Sequence, residues 1–322
     1  MFAPNPKMEQ AASAIAVKSL RLMLRAALFA AMMLGLLLAW ERPAMAAPPG
    51  QEMLPEQSAA KAKQVLQQVI TALGGQAFLN VRDTECDGRV AQFGSNNELM
   101  GFTMFRDIWV LPDKNRTEYI AKAHNTITTF LLGADDLSIT HGGIMVAIFD
   151  GDHGWLLDKG GVSDQPEDAV ATFNEQVKSG LNNMLRLRMN QPGVEVEYGG
   201  TDLIDMKEAE WIDFTDHDHR DLRLAVDKIT HLPLQWVVAT RDPETRERTE
   251  VTTSYGQYQT FDGVKTPLNL VRARNDRNAS QTFLTGCKYN SDLATQLFTR
   301  ASLEQRSAEV SKKGYKDSKD SK

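Results

Sequence analysis

Thr215-Asp216-His217-Asp218-His219 is the first stretch to test for chemistry. Alternate residues of an extended strand share a face, so His217 and His219 would offer two imidazoles to one metal ion. Spacing fixes no third ligand, however. The segment also falls between two strand patterns, where Asp and His are ordinary turn residues. A solvated hairpin is the simpler reading. His153 lies in Asp150-Gly151-Asp152-His153-Gly154, a tight turn with no nucleophile arranged around it. The sequence contains no GxSxG, HExxH, CxxC or phosphate-cradling Gly loop. We therefore expect no catalysis, no metal and no cofactor.

Alternation is the stronger signal. Phe102 and Met104, then Leu222 and Leu224, Trp236 and Val238, and Leu268 and Leu270 each fall on one face of a strand. Neighbours such as Arg223, Gln235 and Asn269 are polar, the pattern of a sheet wet on one side. From about Val194 to Tyr289 such strands follow one another with nothing helical between them. Earlier strands begin near Thr84 and include the run ITTFLLG at 127–133. Two amphipathic helices frame them. One spans 58–73, ending at Gly74-Gly75; the other runs through 166–190, with Gly180 as its weak point. A last short helix covers 291–306, and the polar, Lys-rich residues 306–322 are expected to be disordered.

This predicts one α+β domain over 47–305, a large curved antiparallel sheet of about 10–11 strands covered by two or three helices. So many strands offer more concave surface than the helices can close, and the surplus would be a ligand cavity. Its expected lining is Phe102, Met104, Leu222, Leu224, Trp236, Val238, Leu268 and Leu270. The plainer alternative makes those residues core. Aspartate at Leu224 or Trp236 separates the two, weakening binding in one case and unfolding the chain in the other.

Residues 1–46 read as a secretory signal. Lys7, Lys18, Arg21 and Arg25 precede the apolar run Ala26 to Trp40, and Ala44-Met45-Ala46 supplies a cleavage site. The alternative is a retained anchor, although the run is shorter than the roughly 20 residues a spanning helix needs. Of 36 basic and 42 acidic residues, five and two lie in that segment, leaving the mature chain at −9. An acidic exported domain argues against nucleic acid as a partner. Cys86 and Cys287 are the only cysteines. In an oxidising compartment they would pair and staple the first strand to the last; two isolated thiols is the alternative.

Several segments, in order, resemble the LolA-like superfamily of periplasmic lipoprotein carriers. They are a leading helix ending in ALGG, PDKNRTEY at 112–119, FDGDHGW at 149–155 and EAEWIDF at 208–214. VDKITHLPLQ at 226–235, YGQYQTFDGVKTPLNL at 255–270 and KYNSDLATQLF at 288–298 follow. The resemblance implies an unclosed half-barrel lidded by helices, with an apolar cavity for a lipid or a lipidated protein. It also implies a periplasmic, non-enzymatic carrier or chaperone, expected to be a monomer. The alternative is a periplasmic sensor or adaptor that binds another envelope protein through the sheet. Arg106, Arg223 and Arg272 are the candidates for the interior arginine with which such carriers latch their lid.

Overall fold

A computed structural model describes residues 53–94, 96–120, 144–218, 220–241 and 247–320, with side chains described to 310. The signal-like residues 1–46, the expected strand at 127–133 and His219 lie outside them.

Thirteen strands among the described residues form one antiparallel sheet. The first meander is β1 (Asp83–Phe93), β2 (Leu99–Val110), β3 (Lys114–Ile120), β4 (Ile144–Asp150), β5 (His153–Asp158) and β6 (Gly161–Asp164). The second is β7 (Glu195–Ile204), β8 (Lys207–Thr215), β9 (Asp221–Asp227), β10 (Pro233–Arg241), β11 (Arg248–Phe261), β12 (Val264–Arg274) and β13 (Arg277–Tyr289). Pairing of β1 with β13 joins them, so the sheet runs β6-β5-β4-β3-β2-β1-β13-β12-β11-β10-β9-β8-β7. The sheet is unclosed, and it holds more strands than the 10–11 expected because the first half contributes six. At the seam Cys86 faces Cys287 with Cα atoms 4.1 Å apart, and the two are disulfide-bonded.

Five α-helices among the described residues accompany the sheet. Helix α1 (Pro55–Leu73) buries the stripe Ala62, Val65, Leu66, Val69, Ile70 and Leu73. It packs against Ile212, Phe214, Leu222, Leu224, Val226 and Trp236 of β8, β9 and β10. Its end is set by Gly74 at φ +124°, where an added Cβ would lie 2.2 Å from the carbonyl oxygen of Gly263. Only glycine lets the helix terminus meet the β11–β12 turn that closely. The short α2 (Gln76–Leu79) follows.

The edges β6 and β7 are consecutive in the chain, and the link between them is helical: α3 (Glu167–Ser179), then α4 (Leu181–Asn183) running into a π turn at Met184–Arg188. Glu167 and Asp168 in the first turn and Lys178 in the last match the helix dipole. Gly180, extended at φ −71° and ψ 135°, divides α3 from α4, so the single long helix expected there is two.

The final helix, α5 (Arg300–Asp320), and the turn before it cover the opposite, convex face. Phe298 and Leu303 pack on Ile108, Val146, Ile148 and Leu157. Arg116 donates to the carbonyl of Leu297 (3.0 Å) and to Ser302 Oγ (3.1 Å). Helix α5 continues past residue 306, where composition led us to expect a disordered tail. Anchoring at Leu303 and pairs such as Arg300–Glu304 and Arg306–Glu309 extend it.

The seam is closed by a disulfide spanning 201 residues of chain. Replacing both Cys86 and Cys287 by Ser should therefore lower unfolding stability by about 2–4 kcal/mol, read by chemical denaturation of the oxidised protein. Unchanged stability would show that strand pairing alone holds the seam.

Candidate functional site

Helix α1 fills the concavity over β7–β10, and its C-terminal end reaches β12. Beneath α3 and α4 the rest of that face encloses a cavity of about 560 Å³. Its walls follow the two-residue period of strands. Strand β1 contributes Thr84, Cys86 and Val90, and β2 contributes Phe105, Asp107 and Trp109. Asn115, Thr117 and Tyr119 come from β3, and Met145, Ala147 and Phe149 from β4. Tyr255, Tyr258, Leu270, Thr282 and Tyr289 close the other side.

The roof is held by specific contacts. Phe173 of α3 stacks on Phe149, ring centroids 4.5 Å apart, and on Trp109 at 5.6 Å. Trp236 Nε1 donates to the carbonyl of Ser179 (2.8 Å). Asn183 Nδ2 donates to the carbonyls of Pro112 and Val177, each 3.1 Å away. Arg220 bridges Glu175 of α3 (2.8 Å) to the fully buried Asp216 carboxylate (2.7 Å), which Arg188 also reaches (2.9 Å). Burial alone would raise the pKa of Asp216, yet the Arg220 amide and the two guanidinium groups hold it down to about 2.

Asp107, Arg186 and Lys265 are the charged residues of the cavity lining. The Asp107 carboxylate accepts from Trp109 Nε1 (2.7 Å), Asn115 Nδ2 (2.8 Å) and Thr117 Oγ1 (2.8 Å). Burial still pushes its pKa above the ordinary aspartate value. Arg186, in the π turn, lies with its guanidinium carbon 4.2 Å from the centre of the Phe78 ring. Burial lowers its pKa to about 10, so it stays charged at neutral pH. Burial likewise raises the phenol pKa values of Tyr119, Tyr255, Tyr258 and Tyr289.

The structure distributes the eight residues expected to line a cavity over three places. Leu270 lines it, and Leu268 lies on the same face of β12 by alternation. Leu222, Leu224 and Trp236 are at most 3% exposed, and Val238 packs beside them, all in the core with α1. Aspartate at Leu224 or Trp236 therefore reports on folding rather than on binding. Phe102 and Met104 are 41% and 43% exposed. They sit on the convex side of β2, opposite Phe105, Asp107 and Trp109. Alternation in β2 shows two faces without saying which is concave.

The three candidate arginines are placed outside the cavity lining as well. Arg106 pairs with Asp87 and Glu85, Arg223 pairs with Asp213 over the Trp211 ring, and Arg272 is exposed. Arg186 is the cavity's guanidinium, and it lies outside the apolar stripe of its helical segment, so periodicity gives no signal for it. The 105/107/109, 115/117/119 and 145/147/149 sets could have been found by period two, but Asp, Asn and Thr interrupt their apolar pattern. Elsewhere His153 stacks on Trp155 and His217 lies 3.6 Å from Asp218. Among the described residues no three His, Cys, Asp or Glu side chains group as a metal site.

Neither a family model nor a curated relative matches the chain. Solved structures do, at low identity. A domain from Vibrio parahaemolyticus assigned to outer membrane lipoprotein sorting is 11% identical, covering 76% of this chain and 99% of that one, with a TM-score of 0.46. A DUF1329 family protein from Desulfovibrio piger is 11% identical, with 75% and 98% covered and a TM-score of 0.48. A LolA superfamily protein from Nitrosomonas europaea is 11% identical, with 74% and 97% covered and a TM-score of 0.46. At these identities and scores, what this chain binds has to be argued from its own cavity.

Two predictions follow from the buried carboxylates. A carboxyl whose pKa is higher folded than unfolded costs stability as pH rises above its unfolded value, here 3.8. Wild type should therefore lose stability relative to Asp107→Asn as pH rises above that value, and a pH-independent difference in thermal unfolding would contradict the burial of Asp107. The depressed Asp216 acts oppositely: its contribution is full above 3.8 and is lost as pH falls through about 2. Asp216→Asn should cost roughly 3–5 kcal/mol at neutral pH, because it strips a buried cation of its counter-charge. A change below about 1 kcal/mol in denaturant unfolding would mean that the pair is effectively solvated.

Proposed function

We propose that this protein is an exported, non-catalytic monomer that binds a lipid, or the acyl chain of a lipidated protein, as a carrier or chaperone in the cell envelope. The roofed cavity carries this reading. Its volume falls in the range of about 300–1,000 Å³ typical of small-ligand sites, and its walls are mainly aromatic and aliphatic. Each methylene buried there would contribute about 0.8 kcal/mol, so eight would give roughly 6 kcal/mol before the cost of immobilisation. Release would require α3 to lift from Trp236 and Arg220, which hold its Ser179 and Glu175, or a receiving partner with a better site. The disulfide suits an oxidising compartment.

Docking of another envelope protein on a sheet edge is the second reading, and the edges favour it less. Strand β6 has four residues. Strand β7 already directs one edge amide, that of Tyr198, to Ser58 Oγ at 2.9 Å.

Substitution on the cavity wall tests the proposal. Thr282→Trp should weaken binding of a fluorescent fatty acid by about tenfold or more, a loss of at least ~1.4 kcal/mol, while Phe102→Ala on the convex face leaves it unchanged. Equal binding by both variants would place the ligand elsewhere.

A further inference from the structure

Arg186 is the one arginine among the described residues that lines the cavity, and its surroundings are unusual for a partly buried cation. Its Nε donates to the carbonyl of Phe78 (2.9 Å), and the guanidinium plane rests on the Phe78 ring. Neither Nη has a hydrogen-bond acceptor or a carboxylate within ion-pair distance among the described residues. The other buried arginines contrast with it. Arg116 sits on Glu118, while Arg188 and Arg220 share Asp216. A guanidinium withdrawn from water normally takes a carboxylate or phosphate partner, because an unpaired buried charge is costly. Arg272 has no such partner among the described residues either, but it is exposed and lies outside the cavity lining.

The cavity does not supply the missing anion. Asp107 makes no ion pair with Arg186, and its oxygens are engaged by Trp109, Asn115 and Thr117. Burial drives it towards the neutral form, so it opposes a bound anion less than a free carboxylate would. Tyr289, which also lines the cavity, interacts electrostatically with Arg186 and shares a 2.7 Å hydrogen bond with Thr266. Arg186 is also carried on a π turn, closed by a 2.8 Å bond from the Met189 amide to the Met184 carbonyl. Single π turns within helices frequently mark functional positions.

We propose that Arg186 is a specificity residue that binds the anionic head of the ligand, so that the cavity selects amphiphiles ending in a carboxylate or a phosphate over neutral ones of equal chain length. This rests on the lipid-binding reading above and gives it a ligand class. The apolar wall takes the chain, the two free Nη groups take the head, and the Phe78 ring and carbonyl hold the guanidinium in place.

The test compares three ligands of one chain length, palmitate, hexadecyl phosphate and hexadecanol, by calorimetry on the full chain near neutral pH. Wild type should bind one or both anions about tenfold or more tighter than the alcohol, as expected for a charge-assisted hydrogen bond. Which anion gains more separates carboxylate from phosphate. Arg186→Gln should bring the anions down to the alcohol's affinity and leave the alcohol unchanged, and Arg186→Lys should retain part of the preference. Equal binding of all three ligands by wild type would overturn the role of Arg186 while the lipid cavity stands. Failure of wild type to bind any of them would overturn both. The wild-type comparison decides the matter even if Arg186→Gln does not fold.

Discussion

The antiparallel pairing of β1 with β13 is the contact on which the rest of the molecule depends. It makes two meanders, six strands and seven, into one sheet whose two edges are consecutive in the chain. A connection from β6 to β7 then has to cross the open side of the curved sheet. That crossing is α3, Gly180, α4 and the π turn, so the roof of the cavity follows from the topology. The Cys86–Cys287 bond sits on this seam, and Cys86 itself lines the cavity floor.

The two halves of the concave face meet different fates for a physical reason. Over β7–β10 the strands present Ile212, Phe214, Leu222, Leu224 and Trp236, which match the apolar stripe of α1 and close into core. On the other half the wall mixes aromatic rings with Asp107, Asn115 and Thr117, whose polar atoms bond to one another and can face a cavity without loss. Helix α3 does not sink in to fill it, because its polar anchors at Trp236, Arg220 and Asn183 fix it at the rim. Apolar surface remains there without a protein partner, and burying it is what a ligand's chain would supply.

Much of the architecture was legible in the sequence. The strand alternation, the stripe of α1, the weak point at Gly180 and the cysteine pair needed only local periodicity and compartment. The cavity was less legible. Phe102 and Met104 form a clean apolar pair, yet the phase of β2 relative to the sheet's curvature turns them outward, and phase is a tertiary property. Leu224 and Trp236 read correctly as inward, but whether an inward residue meets a helix or a void depends on where α1 ends, near Gly74. Arg186 was hidden because its carboxylate-free setting exists only once Phe78, 108 residues away, lies beneath it.

The central claim is that this cavity holds a lipid chain. The most direct measurement is native mass spectrometry of the full chain purified from its own cells without detergent. The account predicts a bound population heavier by one lipid-sized mass, released on collisional activation and absent from Thr282→Trp. Protein that is uniformly ligand-free, from cells in which it is abundant and folded, would contradict it.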